Sequence, residues 1–216
     1  MTEPAQRSRG YLWFDAEFSS LDLDTALLLQ VSLVITGPDL VRILPSSRDL
    51  NLFLRLEAGD PVSPWVEKHI PHILRRCREP GAVTLPEAEG LLCAAVTDAF
   101  GDLSAAGIAT RPLLAGNSVH NDWAMARRLL PRFQALTHYR LLDVSTLKTQ
   151  WVDAFGGTAP RKDEAGFVRR YCPGAVLAPG QAEHDAYFDV QASIAELAWY
   201  RSMLTPPAAA GPDLPG

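Results

Sequence analysis

Residues 11–36 read YLWFDAEFSSLDLDTALLLQVSLVIT and decide the fold, because two apolar runs are separated by a short polar stretch. The first run, YLWFDAEF, has large apolar side chains at both alternating sets of positions, which is typical of a strand buried on two faces. Asp22 and Asp24 mark a turn, and ALLLQVSLVIT predicts a second strand after it. The two runs therefore predict the start of an antiparallel meander.

The chain beyond this pair continues the meander and then alternates between helices and strands. After a turn over residues 37–39, LVRILP predicts a third strand, and NLFLRL either extends the sheet or covers its edge. RPLLAGN and YRLLDVSTL predict two later strands, and residues 156–180 predict a long loop rich in Gly, Pro and charge. Helices are predicted over WVEKHIPHILRRC with a break at Pro71, over residues 87–106, 121–130 and 182–203, and briefly near 164–171. This order predicts a mixed α/β sheet.

The composition fits one globular domain and narrows its partners. The 216 residues are 47% hydrophobic and 21% charged, which is enough to bury one sizeable core. We expect a disordered lead over residues 1–9, one folded domain over 10–204 and a disordered tail over 205–216. The net charge of −5 argues against a protein that coats long duplexes, since such proteins present a basic face. It is compatible with an enzyme that meets phosphates through bound cations.

Cysteine usage and apolar run lengths predict a cytoplasmic protein with no membrane partner. Cys77, Cys93 and Cys172 are widely spaced and form no C-x-x-C pair, which favours a reducing compartment. The first ten residues, MTEPAQRSRG, contain no apolar segment typical of a signal peptide. No run of 18 apolar residues is present either.

Two carboxylates in the first predicted strand are the most informative feature. Asp15 and Glu17 are two residues apart, so on a strand both point to the same face. Two close carboxylates in a core repel each other and are costly to desolvate, and a divalent cation such as Mg²⁺ would remove that cost. The alternative is an exposed edge strand with solvated acids. The flanking apolar residues favour a site, namely Leu12, Trp13, Phe14 and Phe18.

Two later segments carry further candidates. GNSVHND follows a short strand and places Asp122 in the first turn of a helix, where open α/β sheets bind ligands and where an acid also complements the helix dipole. In GQAEHDAYFDVQ, His184 and Asp189 are five residues apart, which predicts His184 in the preceding loop or first turn and Asp189 facing inward. Asp185 is an alternative to Asp189, because it lies four residues earlier on nearly the same helical side.

Together these segments resemble the DEDDh exonucleases, and the oligoribonuclease family most closely. The resemblance is carried in order by WFDAEFSSLD, AGNSVHND, HYRLLDVSTLK and HDAYFDVQASIAELAWYR, over about two thirds of the chain. It implies a ribonuclease H-like mixed five-stranded sheet, with an antiparallel meander plus parallel strands, flanked by helices. It also implies a 3′-to-5′ exoribonuclease.

The resemblance implies a metal-dependent mechanism when its site residues are carried over by position. Two Mg²⁺ or Mn²⁺ ions would be held by four carboxylates, namely Asp15, Glu17, Asp122 and Asp189. Two such ions activate the attacking water and stabilise the leaving 3′-oxygen. His184 would be the general base, a role that suits histidine because its ordinary pKa lies near neutrality.

The resemblance further implies short RNA substrates, especially dinucleotides, and a homodimer. The implied substrate-binding residues are Leu21 as a wedge between the bases, Trp65 as a stacking wall, His69 beside the bases, and Ser118, Arg140 and Ser145 around the 5′ phosphate. Tyr139 would reach the active site of the other subunit. Two departures affect substrate preference more than the chemistry. His69 is one residue short of the family spacing, with His72 the other candidate, and residues 156–180 resemble an insertion.

Two other functions remain open at this point. A DEDDh exonuclease for longer RNA or single-stranded DNA would keep the same chemistry with a more open groove. A catalytically silent module that binds nucleotides or a partner protein is the third reading. The presence of the required residue type at all five catalytic positions counts against it.

Overall fold

A five-stranded mixed sheet forms the centre of the computed structural model, which describes residues 9–178 and 184–204. The strands are β1 (Tyr11–Phe18), β2 (Leu28–Thr36), β3 (Leu50–Phe53), β4 (Leu113–Gly116) and β5 (Leu141–Asp143), in the order β3-β2-β1-β4-β5. The neighbouring pairs from β3 to β1 are antiparallel, and those from β1 to β5 are parallel. The predicted fold class is therefore confirmed. The predicted tail, and all of the predicted lead except Arg9, lie outside the described residues.

Eight α-helices of the described residues flank the sheet. They are α1 (Pro64–His69), α2 (Pro71–Cys77), α3 (Leu85–Phe100), α4 (His120–Leu129), α5 (Pro131–Gln134), α6 (Val144–Phe155), α7 (Phe167–Tyr171) and α8 (Ala186–Leu204). Pro71 separates α1 from α2 as predicted, because proline is tolerated at the first helical position and not within a helix. Helix α3 is shorter than predicted, since Gly101 ends it with a φ of 75°. None of the helices within the described ranges has both the length and the apolar character needed to cross a membrane.

The two faces of β1 belong to different halves of the core, and this decides where its acids point. Leu12 and Phe14 pack with residues of α3, α4 and α5, whereas Trp13 packs with residues of α8. All three side chains are fully buried. Because side chains alternate along a strand, Asp15 and Glu17 share the face of Trp13 and point towards α8.

The prediction of a third strand at LVRILP is wrong. The segment is irregular and pairs with the sheet through a single bridge between Thr36 and Arg42, while NLFLRL supplies β3. Gly37 donates its N–H to the carbonyl of Val41, and Leu40 has a φ of 68°, which is incompatible with an extended strand. The edge position beside β2 is therefore filled by the next apolar run along the chain.

Candidate active site

Three carboxylates converge where β1 faces the start of α8. Asp15 and Glu17 come from β1, and Asp189 comes from the first turn of α8. One oxygen from each of the three lies within 4.8 Å of the others. The donor set consists of carboxylate oxygens alone, which are the ligands that hard divalent cations such as Mg²⁺ and Mn²⁺ prefer. These side chains fit a metal site.

Asp122 approaches the same strand from α4. It is buried in the first turn of that helix, and its Oδ1 accepts the N–H of Ala16 at 2.9 Å. This hydrogen bond fixes the carboxylate beside the strand segment between Asp15 and Glu17. The charge of Asp122 acts on Asp15, although Asp122 is not one of the three mutually close carboxylates.

Burial and mutual repulsion raise the pKa values of these acids. Burial, and then the charges of Asp122, Asp189 and Glu17, raise the pKa of Asp15 well above its ordinary value. Burial also raises the pKa of Asp122 well above its usual range. Burial and the charge of Asp189 raise the pKa of Glu17 to about 7. A bound divalent cation would offset this repulsion, so the energetics of the cluster also fit a metal site.

The sequence left open whether Asp185 or Asp189 belongs to the site, and the structure distinguishes between them. Asp189 joins the carboxylate cluster. Asp185 lies just before the helix, and its Oδ1 accepts the N–H groups of Tyr187 at 3.0 Å and Phe188 at 3.2 Å. This is the hydrogen bonding of a helix N-cap. The geometry therefore assigns Asp185 to the helix end and Asp189 to the cluster.

His184 lies in the loop immediately before α8, at the edge of the cluster. Its backbone N–H donates to Oδ2 of Asp189 at 2.9 Å, and its φ is 66°. The exposed imidazole meets the Trp65 ring edge-on, with ring centroids 5.5 Å apart. The backbone of His184 is thus bound to a cluster carboxylate, and its ring contacts an aromatic side chain.

A cavity of about 550 Å³ adjoins Glu17 and His184. Leu21 and Trp65 line it, with exposed fractions of 95% and 48%, which is unusual for large apolar side chains and typical of a binding surface. His69 stacks on Trp65 with centroids 4.4 Å apart, and its Nδ1 is hydrogen-bonded to the carbonyl of Trp65 at 2.8 Å. The structure therefore places Leu21 and Trp65 at one cavity and His69 against Trp65, and these are the residues that the family resemblance implies around the bases.

The two serines expected around the phosphate are also neighbours. Their Oγ atoms are 3.2 Å apart, and Ser145 Oγ accepts the backbone N–H of Ser118 at 2.7 Å. Asp143 accepts the N–H of Ser145, so it also caps α6. Arg140 makes a different contact: its guanidinium group lies over the exposed ring of Tyr139. Within residues 9–178 and 184–204, no hydrogen bond joins Arg140 to either serine.

The sequence did not single out a polar network behind the site. Asn117 donates to Oε2 of Glu196 at 3.0 Å and accepts a hydrogen bond from Ser145 Oγ at 3.3 Å. Lys162 Nζ lies 3.7 Å from the same Glu196 oxygen. Asn117 belongs to the AGNSVHND segment and could have been included, whereas Lys162 lies in the part of the chain that departs from the family pattern.

Comparison with curated proteins identifies relatives along most of the chain. Mouse mitochondrial oligoribonuclease is 30% identical over 198 residues, which cover 88% of this chain and 71% of the mouse protein. The human mitochondrial oligoribonuclease is 29% identical with the same coverage. The oligoribonuclease of Tropheryma whipplei is 27% identical over 200 residues, which cover 88% of this chain and 90% of that protein. No protein-family model matches the chain.

Solved structures with the same fold include an exonuclease I and Pop2p of S. pombe, both of low sequence identity to this chain. A product-bound exonuclease I superposes with a TM-score of 0.59 at 13% identity, covering 91% of this chain and 44% of that one. Pop2p of S. pombe in its Mg²⁺- and Mn²⁺-bound form gives 0.57 at 9% identity, covering 90% and 83%. The chain therefore spans less than half of exonuclease I, and this likeness concerns the fold. The sequence relatives are more specific, and by them the chain belongs to the oligoribonuclease family.

Proposed function

We propose that the chain is a metal-dependent 3′-to-5′ exoribonuclease that hydrolyses short oligoribonucleotides, above all dinucleotides, to 5′-mononucleotides. The observation that carries the proposal is the cluster of Asp15, Glu17 and Asp189 beside a cavity lined by Leu21 and Trp65. It joins a place for divalent cations to a place for nucleobases. Membership of the oligoribonuclease family supports the same activity.

The carboxylates form the part of the site that meets the scissile phosphate. Asp15, Glu17 and Asp189 would hold two divalent cations together with Asp122, which the Ala16 N–H holds in place. Bound Mg²⁺ or Mn²⁺ supplies Lewis-acid chemistry, activating a water molecule and stabilising the leaving 3′-oxygen. The bond between phosphorus and the 3′-oxygen breaks, so the released nucleotide keeps a 5′ phosphate.

His184 is the proposed general base. Its imidazole takes the proton of the attacking water, which requires the neutral form of the ring. Two contacts support this role. The backbone N–H of His184 donates a hydrogen bond to Asp189, and its ring contacts Trp65 at the edge of the base cavity. A base at this position stands between the carboxylate cluster and the terminal nucleotide.

The preference for very short RNA rests on two parts of the site, the cavity for the bases and the residues around the 5′ phosphate. Leu21, Trp65 and His69 hold the bases by wedging and stacking, and each stacked base contributes roughly 1–3 kcal/mol. Ser118, Ser145 and Arg140 form the proposed phosphate cap, which binds the 5′ phosphate of the substrate. The net charge of −5 is consistent with a ligand that presents few phosphates.

A competition between substrates of different length tests the proposal. A 5′-labelled RNA dinucleotide, a longer RNA and a single-stranded DNA of matching sequence are digested with Mg²⁺, Mn²⁺ or EDTA. Metal-dependent cleavage that is fastest on the dinucleotide supports the proposal. A preference for the longer RNA or for DNA would contradict the proposed phosphate cap. No cleavage of any strand would favour a silent binding module.

A further inference from the structure

The segment between α6 and α7 places a largely buried cation in the polar network behind the site. Lys162 belongs to this segment, and only 18% of its side chain is exposed. Its ammonium lies 3.7 Å from Oε2 of Glu196, a side chain with no exposed surface. Lysine is rarely buried unless it is paired, and Glu196 is the partner of Lys162.

Glu196 anchors this cation at a fixed place in the fold. Its Oε2 accepts a hydrogen bond from Asn117 at 3.0 Å, and its Oε1 accepts one from the hydroxyl of Tyr200 at 3.3 Å. Asn117 in turn accepts a hydrogen bond from Ser145, one of the two neighbouring serines near the start of α6. The anchor of Lys162 is therefore continuous with the proposed phosphate cap.

The same ammonium also acts on the carboxylate cluster. The positive charge of Lys162 favours the ionised form of Asp15, whereas the neighbouring carboxylates disfavour it. Lys162 is thus linked through Glu196 to the Asn117–Ser145 pair, and its charge also acts on Asp15. In a dinucleotide, the scissile phosphodiester would lie at the carboxylate cluster, and the 5′ phosphate would lie one nucleotide away. A cation that is linked to both parts of the site would meet the phosphate groups of such a substrate.

The chemistry of lysine fits this task. An ammonium group is a compact charge with three donors on a flexible stem, and it binds phosphate as a point charge. The 3.7 Å separation from Glu196 is longer than a hydrogen bond, so the ion pair does not fix the direction of those donors. A small rotation of the side chain can turn a donor to an anion while Glu196 keeps the charge in place.

We propose that Lys162 binds a phosphate of the substrate, so that the segment over residues 156–178 supplies a substrate-binding cation to the active site. This inference rests on the proposed function. It gives that segment, which departs from the family pattern, a role in substrate affinity.

The test measures binding of an RNA dinucleotide in Ca²⁺ across a series of salt concentrations, together with KM and kcat in Mn²⁺. Lys162→Met should weaken binding about tenfold, as expected for the loss of one charge-assisted hydrogen bond. It should also make Kd less dependent on salt, because salt screens the charge pair that the substitution removes, and a purely structural role would not produce this effect. Lys162→Arg keeps the charge and should retain most of the affinity and the salt dependence.

Two further variants serve as controls. Arg170→Met removes the same charge from an exposed position in α7 and should leave Kd and its salt dependence unchanged. Lys162→Met also leaves the buried Glu196 without its cation, which can destabilise the fold. The double variant Lys162→Met, Glu196→Gln removes that unpaired charge and should still bind weakly.

Three results would overturn the inference. One is an unchanged Kd with an unchanged salt dependence in Lys162→Met. Another is an equal loss in Arg170→Met. The third is recovery of binding in the double variant, which would mean that Lys162 only neutralises Glu196. In each case, a wild-type protein that cleaves the dinucleotide leaves the proposed function standing. A wild-type protein that neither binds nor cleaves RNA would overturn both.

Discussion

At the scale of single residues, Glu17 is one of the groups through which pH acts on the site, and its pKa lies near neutrality. Burial and the charge of Asp189 raise its pKa from an ordinary 4.5 to about 7. The folded protein therefore binds more protons than the unfolded chain across this window, so the metal-free protein loses stability as pH rises through it. A metal ion competes with these protons, and its affinity increases over the same range.

We therefore predict that stabilisation by a divalent cation increases with pH. Between pH 5 and pH 8, the unfolding temperature in EDTA should fall relative to that in Mn²⁺. Thermal unfolding followed by circular dichroism measures both. Glu17→Gln lacks the titrating group and should show a flatter dependence. A metal-induced shift of equal size at both pH values would contradict the proposed role of the cluster.

Trp65 is the residue at which base stacking can be tested separately from chemistry. Its ring is half exposed and contacts both His69 and His184. Trp65→Ala should weaken dinucleotide binding by roughly 1–3 kcal/mol, the contribution of one stacked base. Titration of the dinucleotide in Ca²⁺ measures this loss, and Trp65→Phe should retain part of the affinity. Wild-type affinity in Trp65→Ala would remove the stacking wall from the account.

At the scale of elements, the site depends on how the start of α8 is joined to the sheet. Gln30 in β2 is fully buried and opposite Glu17 in the strand pairing. Its side chain accepts the N–H of Ala186 at 3.2 Å and donates to Asn51 at 2.8 Å. This glutamine therefore fixes the helix end that carries Asp189.

Gln30→Leu should affect both stability and turnover. It leaves buried hydrogen-bonding groups unsatisfied, at a cost of about 1–3 kcal/mol in the free energy of unfolding. Because the start of α8 loses an anchor, kcat should also fall at a low temperature at which the variant is fully folded. Urea unfolding and steady-state kinetics measure the two effects. The exposed Gln150→Leu is the matched control, and equal behaviour of the two variants would contradict this role.

The elements also show how far local sequence pattern reaches. The alternation in YLWFDAEF was sufficient to predict that Asp15 and Glu17 share a face, since strand geometry alone decides it. The pattern could not separate LVRILP from NLFLRL as the edge strand, because both are short apolar runs and only one can pair with β2. Lys162 could not be found either, because a loop residue reaches its partner Glu196 only through the tertiary fold.

At the scale of the whole molecule, we predict that two copies of the chain form a dimer in which each active site contains residues of both copies. Tyr139 is 55% exposed, and the family resemblance implies that it reaches the partner's site. Tyr139→Ala and Asp15→Ala should each be inactive alone. When they are unfolded and refolded together, roughly half of the dimers are mixed, and each of these has one complete site. Activity that does not recover on mixing would contradict a shared site.

The central claim is that the carboxylate cluster binds the metal ions that drive hydrolysis of a short RNA. Its most direct test is the digestion of a 5′-labelled RNA dinucleotide by the wild-type protein and by Asp15→Asn, with Mn²⁺ and with EDTA. Asp15→Asn should remain folded, because removing a repelled buried charge does not destabilise the metal-free core. The account predicts a labelled mononucleotide only from the wild type with Mn²⁺. Cleavage in EDTA, or wild-type cleavage by the variant, would contradict it.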